Sequence, residues 1–133
     1  MSNYSILIVE DHKVYASALL RLLHANPDLR IIAVMETAEL ALEKLAGTPV
    51  DLVLADISLP NMSGIDLIGV LREKYPDLPS AILSGHLAAD YVRRAMEAGA
   101  RGYLVKDNPS GILEGIQKIL NGETYISADV DPV

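Results

Sequence analysis

The sequence predicts an α/β fold in which five short strands alternate with five helices, giving a parallel sheet covered by helices on both faces. Three observations carry this expectation. Short continuous apolar runs, such as Ile6-Leu7-Ile8-Val9 and Leu52-Val53-Leu54-Ala55, have the character of strands buried on both faces. Between such runs lie segments of roughly ten residues with apolar side chains at helical spacing. Gly, Pro and Asn stand at the changes of pattern, where turns and helix ends are needed.

Residues 6–9 form the first strand. Residues 14–24 form a helix, with Val14, Ala18, Leu19, Leu22 and Leu23 on its inner face and Asn26-Pro27 as its end. Residues 31–35 are the second strand. Thr37 caps a second helix whose inward side chains are Leu40, Ala41 and Leu45, and Gly47 stops it. Residues 52–55 are the third strand and run straight into Asp56. Pro60-Asn61-Met62-Ser63-Gly64 is a turn-rich loop. Residues 65–74 form the third helix, 80–83 the fourth strand, and 88–98 the fourth helix, closed by Gly99. Residues 103–105 are the fifth strand. Asn108-Pro109 is a cap and first-turn pair for a last helix that runs to about Asn121, with Gly122 as its stop. Leu113, Ile116, Gln117 and Leu120 on that helix mix core contacts with a candidate partner face, core being the default reading. Residues 123–133 show no periodicity.

Composition narrows the class. The 133 residues suit one domain, 50% are hydrophobic and 22% charged, and Phe and Trp are absent, so Leu, Ile, Val, Ala and Met must fill the core. Met35, Met62 and Met96 are read as core or loop fillers. The absence of Cys excludes a disulfide framework and thiolate metal sites. The apolar run at residues 6–9 is too short for a signal peptide or membrane span, so the expected location is the cytoplasm, with no membrane partner. A net charge of −7 makes the chain a poor candidate for gripping a phosphate backbone by itself.

In an open parallel sheet, ligands bind beyond the carboxyl ends of the strands. Glu10 and Asp11 stand after the first strand, Asp56 after the third, Ser84 after the fourth and Lys106 after the fifth. Singly, these are a solvated loop pair, a strand-end cap and a surface lysine; their joint placement on one sheet edge is what carries information. Glu10, Asp11 and Asp56 bring like charges close together, a repulsion that calls for a cation. Hard oxygen donors without Cys or His point to Mg²⁺. A carboxylate beside a divalent cation and a lysine is equipped for phosphoryl transfer to give an aspartyl phosphate. His12, His24 and His86 are not taken as ligands. His86, two residues beyond Ser84, flanks the mouth of the site.

Four blocks now resemble the receiver domains of two-component response regulators. They are Ile8-Val9-Glu10-Asp11-His12, Leu54 through Gly64, Ile82-Leu83-Ser84-Gly85, and Gly99 through Asp107. The match runs from about residue 5 to 121. The stretch Gly102-Tyr103-Leu104-Val105-Lys106-Asp107, with Asn121-Gly122-Glu123-Thr124-Tyr125-Ile126-Ser127, is similar to the NarL/FixJ (LuxR-type) subfamily. The resemblance implies a flavodoxin-like (βα)5 sandwich of strand order 2-1-3-4-5. It makes Asp56 the phosphoacceptor. Asp11, Glu10, Asp56 and the Ser58 backbone carbonyl become holders of Mg²⁺, Lys106 the phosphate contact, and Ser84 and Tyr103 a switch pair in which Tyr103 swings inward on phosphorylation. It implies a sensor histidine kinase or phosphotransfer protein as donor, and a homodimer on phosphorylation. Residues 1–122 are then the receiver, and residues 123–133 begin a linker to a helix-turn-helix domain through which alone DNA is contacted. On this view the chain is a switch rather than a turnover enzyme.

Two departures from the family's commonest pattern stand out: Glu10 where Asp is frequent, and Ser84 where Thr is frequent. Rival readings are weaker. A haloacid-dehalogenase-like phosphatase wants an acid two residues after its nucleophile, and Ser58 stands there. Acidic strand ends would repel a flavin phosphate. A stand-alone or phosphorylation-independent receiver, acting as an interaction adaptor, is the alternative that keeps the same fold.

Overall fold

A computed structural model describes residues 3–132. The apolar runs form strands β1 (Tyr4–Val9), β2 (Leu29–Met35), β3 (Leu52–Ala55), β4 (Ser80–Ser84) and β5 (Gly102–Val105). Helices α1 (Lys13–His24), α2 (Ala38–Gly47), α3 (Gly64–Lys74), α4 (Ala89–Ala98) and α5 (Pro109–Leu120) come after them in turn. All pairings are parallel. The expected order 2-1-3-4-5 is present and is extended by a sixth strand, β6 (Tyr125–Ile126), beside β5. The order reverses between β1 and β3. That is the switch point where a doubly wound sheet opens a crevice.

Strand side chains alternate between two apolar layers. Ile6, Ile8, Leu52, Leu54, Leu83 and Leu104 face Leu19 and Leu23 of α1 and Ile112, Ile116 and Ile119 of α5. On the other side, Leu7, Val9, Val53 and Ala55 pack against α2 and α3. Ile82 and Tyr103 meet Ile65 and Ile68 of α3 and Val92 and Ala95 of α4. Burying one such aliphatic side chain contributes about 1.5–3 kcal/mol, so both layers are needed to offset the entropy of ordering the chain. Hydrogen bonds from Leu40 N–H to Thr37 Oγ1 (3.0 Å), Asp66 N–H to Ser63 Oγ (3.1 Å) and Gly111 N–H to Asn108 Oδ1 (3.0 Å) cap α2, α3 and α5.

Three expectations change. Val14 and Ala18 are exposed; the buried face of α1 is Ala16, Leu19 and Leu23, with Tyr15 and Leu22 half-buried. The helix starts at Lys13, and a pattern phased on Val14 selects the wrong stripe. Leu40 is likewise 45% exposed, because Ala38, Ala41 and Leu45 form the inner stripe of α2. Residues 123–132 are not featureless. Tyr125 N–H donates to the Arg101 carbonyl (3.0 Å) and Ser127 N–H to that of Tyr103 (3.0 Å), which builds β6. A two-residue strand carries too short an alternation to register as a period.

The tail is seated by shape. A Cβ on Gly115 of α5 would lie 2.8 Å from Cδ2 of Tyr125, so the bare glycine leaves the space the ring fills. Beyond β6, Val130 joins the layer around Tyr103 and Asp131 N–H donates to the Leu87 carbonyl at 2.7 Å. Tyr125→Ala is expected to lower unfolding stability by about 1–2 kcal/mol, since the ring is only partly buried. Urea denaturation checks this, and an unchanged midpoint would show that the tail is not part of the cooperative unit.

Candidate functional site

The parallel ladder continues one residue past several strands, and this gathers the site. Asp56 N–H donates to the Val9 carbonyl (3.0 Å), Glu10 N–H to that of Met35 (2.9 Å), and Lys106 N–H to that of Ser84 (3.0 Å). The residues just after β1, β3 and β5 are therefore fixed to their neighbours' strand ends, beside the β1/β3 crevice. Past Asp56 the chain doubles back sharply. Gly64 N–H donates to the Ile57 carbonyl (2.9 Å), and any Cβ on Gly64 would collide with the Asp56 carbonyl. Asn61, at φ 65°, supplies the left-handed residue that this turn needs.

Within the crevice Glu10 and Asp56 are almost fully buried, at 3% and 4% exposure. Lys106 Nζ lies 2.7 Å from Glu10 Oε1 and 3.2 Å from Asp56 Oδ2. It donates a hydrogen bond to Asp56, whereas the shorter Glu10 contact is an ion pair off the line of a hydrogen bond. Glu10 Oε2 accepts the His12 N–H at 3.1 Å and meets His12 Nδ1 at 2.9 Å. The same Nδ1 is 3.3 Å from Asp11 Oδ1 and 3.7 Å from Asp56 Oδ2. Ligand atoms from Glu10, Asp11, His12 and Asp56 all lie within 4.8 Å of one another. Asp11 Oδ1 is buried without a hydrogen-bond partner.

The two buried carboxylates are driven in opposite directions. For Glu10, burial raises the pKa, but Lys106 and the two His12 contacts outweigh burial and hold it below the usual glutamate value. For Asp56, burial and then the Glu10 charge prevail over Lys106 and the Ser58 N–H, leaving it above the usual aspartate value. His12 is raised, first by its Glu10 hydrogen bond and then by the Asp11 and Glu10 charges. Asp56 is thus a buried carboxyl that shares its one lysine with Glu10 and is the less compensated of the two.

The remaining expected residues converge on His86. Its N–H donates to Ser84 Oγ (3.0 Å), and its carbonyl accepts the Tyr103 hydroxyl (2.8 Å). Its Nε2 lies 3.4 Å from Ser58 Oγ, and its ring stacks on Tyr91 with centroids 4.4 Å apart. Tyr103, expected to swing inward when the switch is thrown, is inward in this structure and wholly buried among Ile82, Val92 and Ala95. Its phenol is satisfied by the His86 carbonyl, so burial leaves no unpaired hydroxyl. Two residues near the site are missed by the sequence pattern. His12, not expected among the ligands, faces the carboxylates. Tyr15 places its ring centroid 4.5 Å from Lys106 Nζ, a contact the strand-end pattern does not reveal. Asp11 lies ahead of α1, so no helical spacing ties Tyr15 to it; the signal the sequence holds is the place of Tyr15 in the first turn of α1, soon after the acidic pair.

This geometry makes two outcomes measurable. Gly64→Ala is expected to lose about 3 kcal/mol by forcing backbone off backbone at Asp56, measured by chemical denaturation against Gly69→Ala, where a Cβ meets nothing within 4 Å. Asp56→Asn is expected to stabilise the protein in chelator-treated buffer at pH 7. The folded pKa of Asp56 is raised, so its charged form penalises folding above that value, and the penalty disappears as pH falls until the unfolded carboxyl is protonated too. The Tm gain at pH 7 should therefore shrink on acidification. An Asn variant melting at or below the native protein at pH 7 contradicts the electrostatic account.

Comparison with known proteins agrees with this geometry. Residues 6–118 match the family described as the response regulator receiver domain. The transcriptional regulatory protein DegU of Brevibacillus brevis is 30% identical over 130 residues, covering 97% of this chain and 55% of its own length. The nitrate/nitrite response regulator protein NarL of Escherichia coli is 29% identical over 137 residues, covering 100% of this chain and 63% of its own. The chain thus spans little more than half the length of DegU and under two thirds of NarL. Among solved structures, a LuxR-family two-component response regulator from Aurantimonas sp. superposes with a TM-score of 0.93 at 28% identity, covering 97% of this chain and 93% of that one. By sequence pattern and by fold alike, the chain belongs to the response regulator receiver domain family.

Proposed function

We propose that this receiver is the phosphoryl-accepting switch of a two-component pathway, with Asp56 as the acceptor. The observation that carries the reading is the buried Asp56 carboxylate, 3.2 Å from the Lys106 ammonium and gathered with the carboxylates of Glu10 and Asp11 at the β1/β3 crevice. The incoming group is the phosphoryl of a phosphohistidine on a sensor kinase or phosphotransfer protein. An Asp56 carboxylate oxygen attacks phosphorus, the P–N bond breaks, and its electron pair returns to the departing imidazole. Lys106 moves with the transferred charge from the carboxylates to a phosphoryl oxygen.

Glu10, Asp11, Asp56 and the Ser58 backbone carbonyl are the groups that would hold Mg²⁺. The three carboxylates gathered in the crevice and the Asp11 Oδ1 buried without a hydrogen-bond partner fit it, with the His12 ring nitrogen beside them. Bound there, Mg²⁺ supplies neutralisation of the transferred phosphoryl oxygens. Against burial and the Glu10 charge, which raise the Asp56 pKa, the neighbouring Ser58 N–H is among the groups that lower it. The Ser84 hydroxyl is the donor for a further phosphoryl oxygen. To reach it, Ser84 must reorient in the loop where it accepts the His86 N–H and where the His86 carbonyl holds Tyr103. Charge arriving at Asp56 is thereby felt at the α4 and β5 face.

The output is regulation of transcription, through a DNA-binding segment outside these residues; because residues 125–131 pack as part of the receiver, the connection starts beyond them. Its relatives bear the names of transcriptional regulators. Pairing of two phosphorylated copies belongs to the same reading, as does action in the cytoplasm. No helix among the described residues is long and apolar enough to cross a membrane.

Incubation with acetyl phosphate and Mg²⁺, with intact mass as the readout, tests the proposal. One phosphoryl adduct is expected, lost in Asp56→Asn and with chelator. An adduct that survives in Asp56→Asn moves the acceptor elsewhere. No adduct in the native protein under any condition leaves the phosphorylation-independent adaptor as the better reading.

A further inference from the structure

Lys106 is approached from two sides. Glu10 and Asp56 face its ammonium at 2.7 and 3.2 Å, and the Tyr15 ring lies at 4.5 Å from centroid to Nζ. Tyr15 hangs from α1, with its hydroxyl 3.5 Å from the Lys106 carbonyl oxygen, so one side chain meets both ends of the lysine. The Lys106 side chain is only 15% exposed. A lysine has many rotamers to lose, and two carboxylates alone leave its ammonium free to pass between them. An aromatic face attracts a cation through its quadrupole and restricts where that cation can go. The phenol stays neutral, since burial and then the charges of Glu10, Asp107 and Asp56 push its ionisation up.

We propose that Tyr15 is a positioning residue for phosphoryl transfer, its ring face holding the Lys106 ammonium over Asp56 so that the cation meets the incoming phosphoryl oxygens already aimed. The functional half of this inference rests on Asp56 being the phosphoacceptor; the physical half concerns Tyr15 and Lys106 alone. A plain packing role for Tyr15 predicts that any ring of the same shape serves equally. A cation–π role predicts dependence on the electron density of the ring.

The test places Phe, 3,5-difluorophenylalanine and pentafluorophenylalanine at position 15, with Tyr15→Leu beside them. Two quantities are read in the full chain. One is the upfield ring-current shift of the Lys106 Cε protons and their NOE to the ring, without phosphoryl analogue. The other is the apparent Kd for beryllofluoride with saturating Mg²⁺. Tyr15→Phe should keep the NOE, the shift and the Kd. The Kd should rise stepwise with fluorination, reaching about two- to five-fold, the range for a modest cation–π contact, while Kd for Mg²⁺ alone stays constant. A flat fluorinated series, a Phe variant as weak as Leu, or no NOE in the native protein overturns the proposal. The fluorinated rings keep the packing, so the comparison holds even where Tyr15→Leu fails to fold. Should the native protein bind no beryllofluoride, the phosphoacceptor reading fails; the NOE and shift then decide alone whether Tyr15 positions Lys106.

Discussion

Two buried carboxylates, Glu10 and Asp56, share one ammonium. Most of the structure can be understood as the means of keeping them there. Like charges at reduced dielectric repel by several kcal/mol, and flexible loops would relax apart. The fold prevents this by continuing its ladder past the strand ends: the Asp56 N–H is held by Val9 and the Glu10 N–H by Met35. Those strands are immovable because Leu7, Val9, Val53 and Ala55 are wholly buried between helices. Gly64 closes the other side by letting α3 begin against the Asp56 carbonyl. The apolar layers thus act on function directly, since they supply the rigidity that holds Asp56 beside Glu10 despite an unfavourable charge.

The sharing is unequal. Glu10 takes the shorter contact with Lys106 and both His12 contacts, and ends below its ordinary pKa; Asp56 is left above its own. The longer side chain at position 10, where the family often carries Asp, has the reach to meet Lys106 and His12 at once. Asp56 is consequently the less satisfied partner, which suits it to the acceptor role proposed above.

The strand ends are legible in the sequence because a buried parallel strand is a continuous apolar run that stops abruptly, and the residue after the stop must lie on the sheet edge. That logic locates Glu10, Asp11, Asp56, Ser84 and Lys106 without coordinates. It fails for groups whose partners come from other elements. A stripe of α1 phased on Val14, which is 88% exposed, conceals Tyr15 on the inner side. Strand β6 is invisible because two residues hold no period, and its evidence sits elsewhere, in the bare space over Gly115. The inward Tyr103 is equally hidden, since it depends on a carbonyl, that of His86, whose direction no side-chain pattern encodes.

These hidden contacts join the site to the tail. The His86 carbonyl holds Tyr103, the next carbonyl, of Leu87, accepts the Asp131 N–H, and Val130 packs in the Tyr103 layer. Any change in the loop after β4 therefore reaches residues 125–131 through direct bonds and packing. At the other end of the same event stands Lys106. It cannot serve a phosphoryl oxygen and Glu10 with full strength at once. Any displacement of its ammonium from Glu10 toward a group on Asp56 would leave Glu10 buried with less compensation, and an uncompensated buried carboxylate is among the more destabilising states a protein can adopt. His12, largely exposed, offsets only part of that loss. On the phosphoacceptor reading proposed above, a cation near Glu10 and Asp11 would offset that loss, so a metal and the lysine would be linked partners of the same carboxylates.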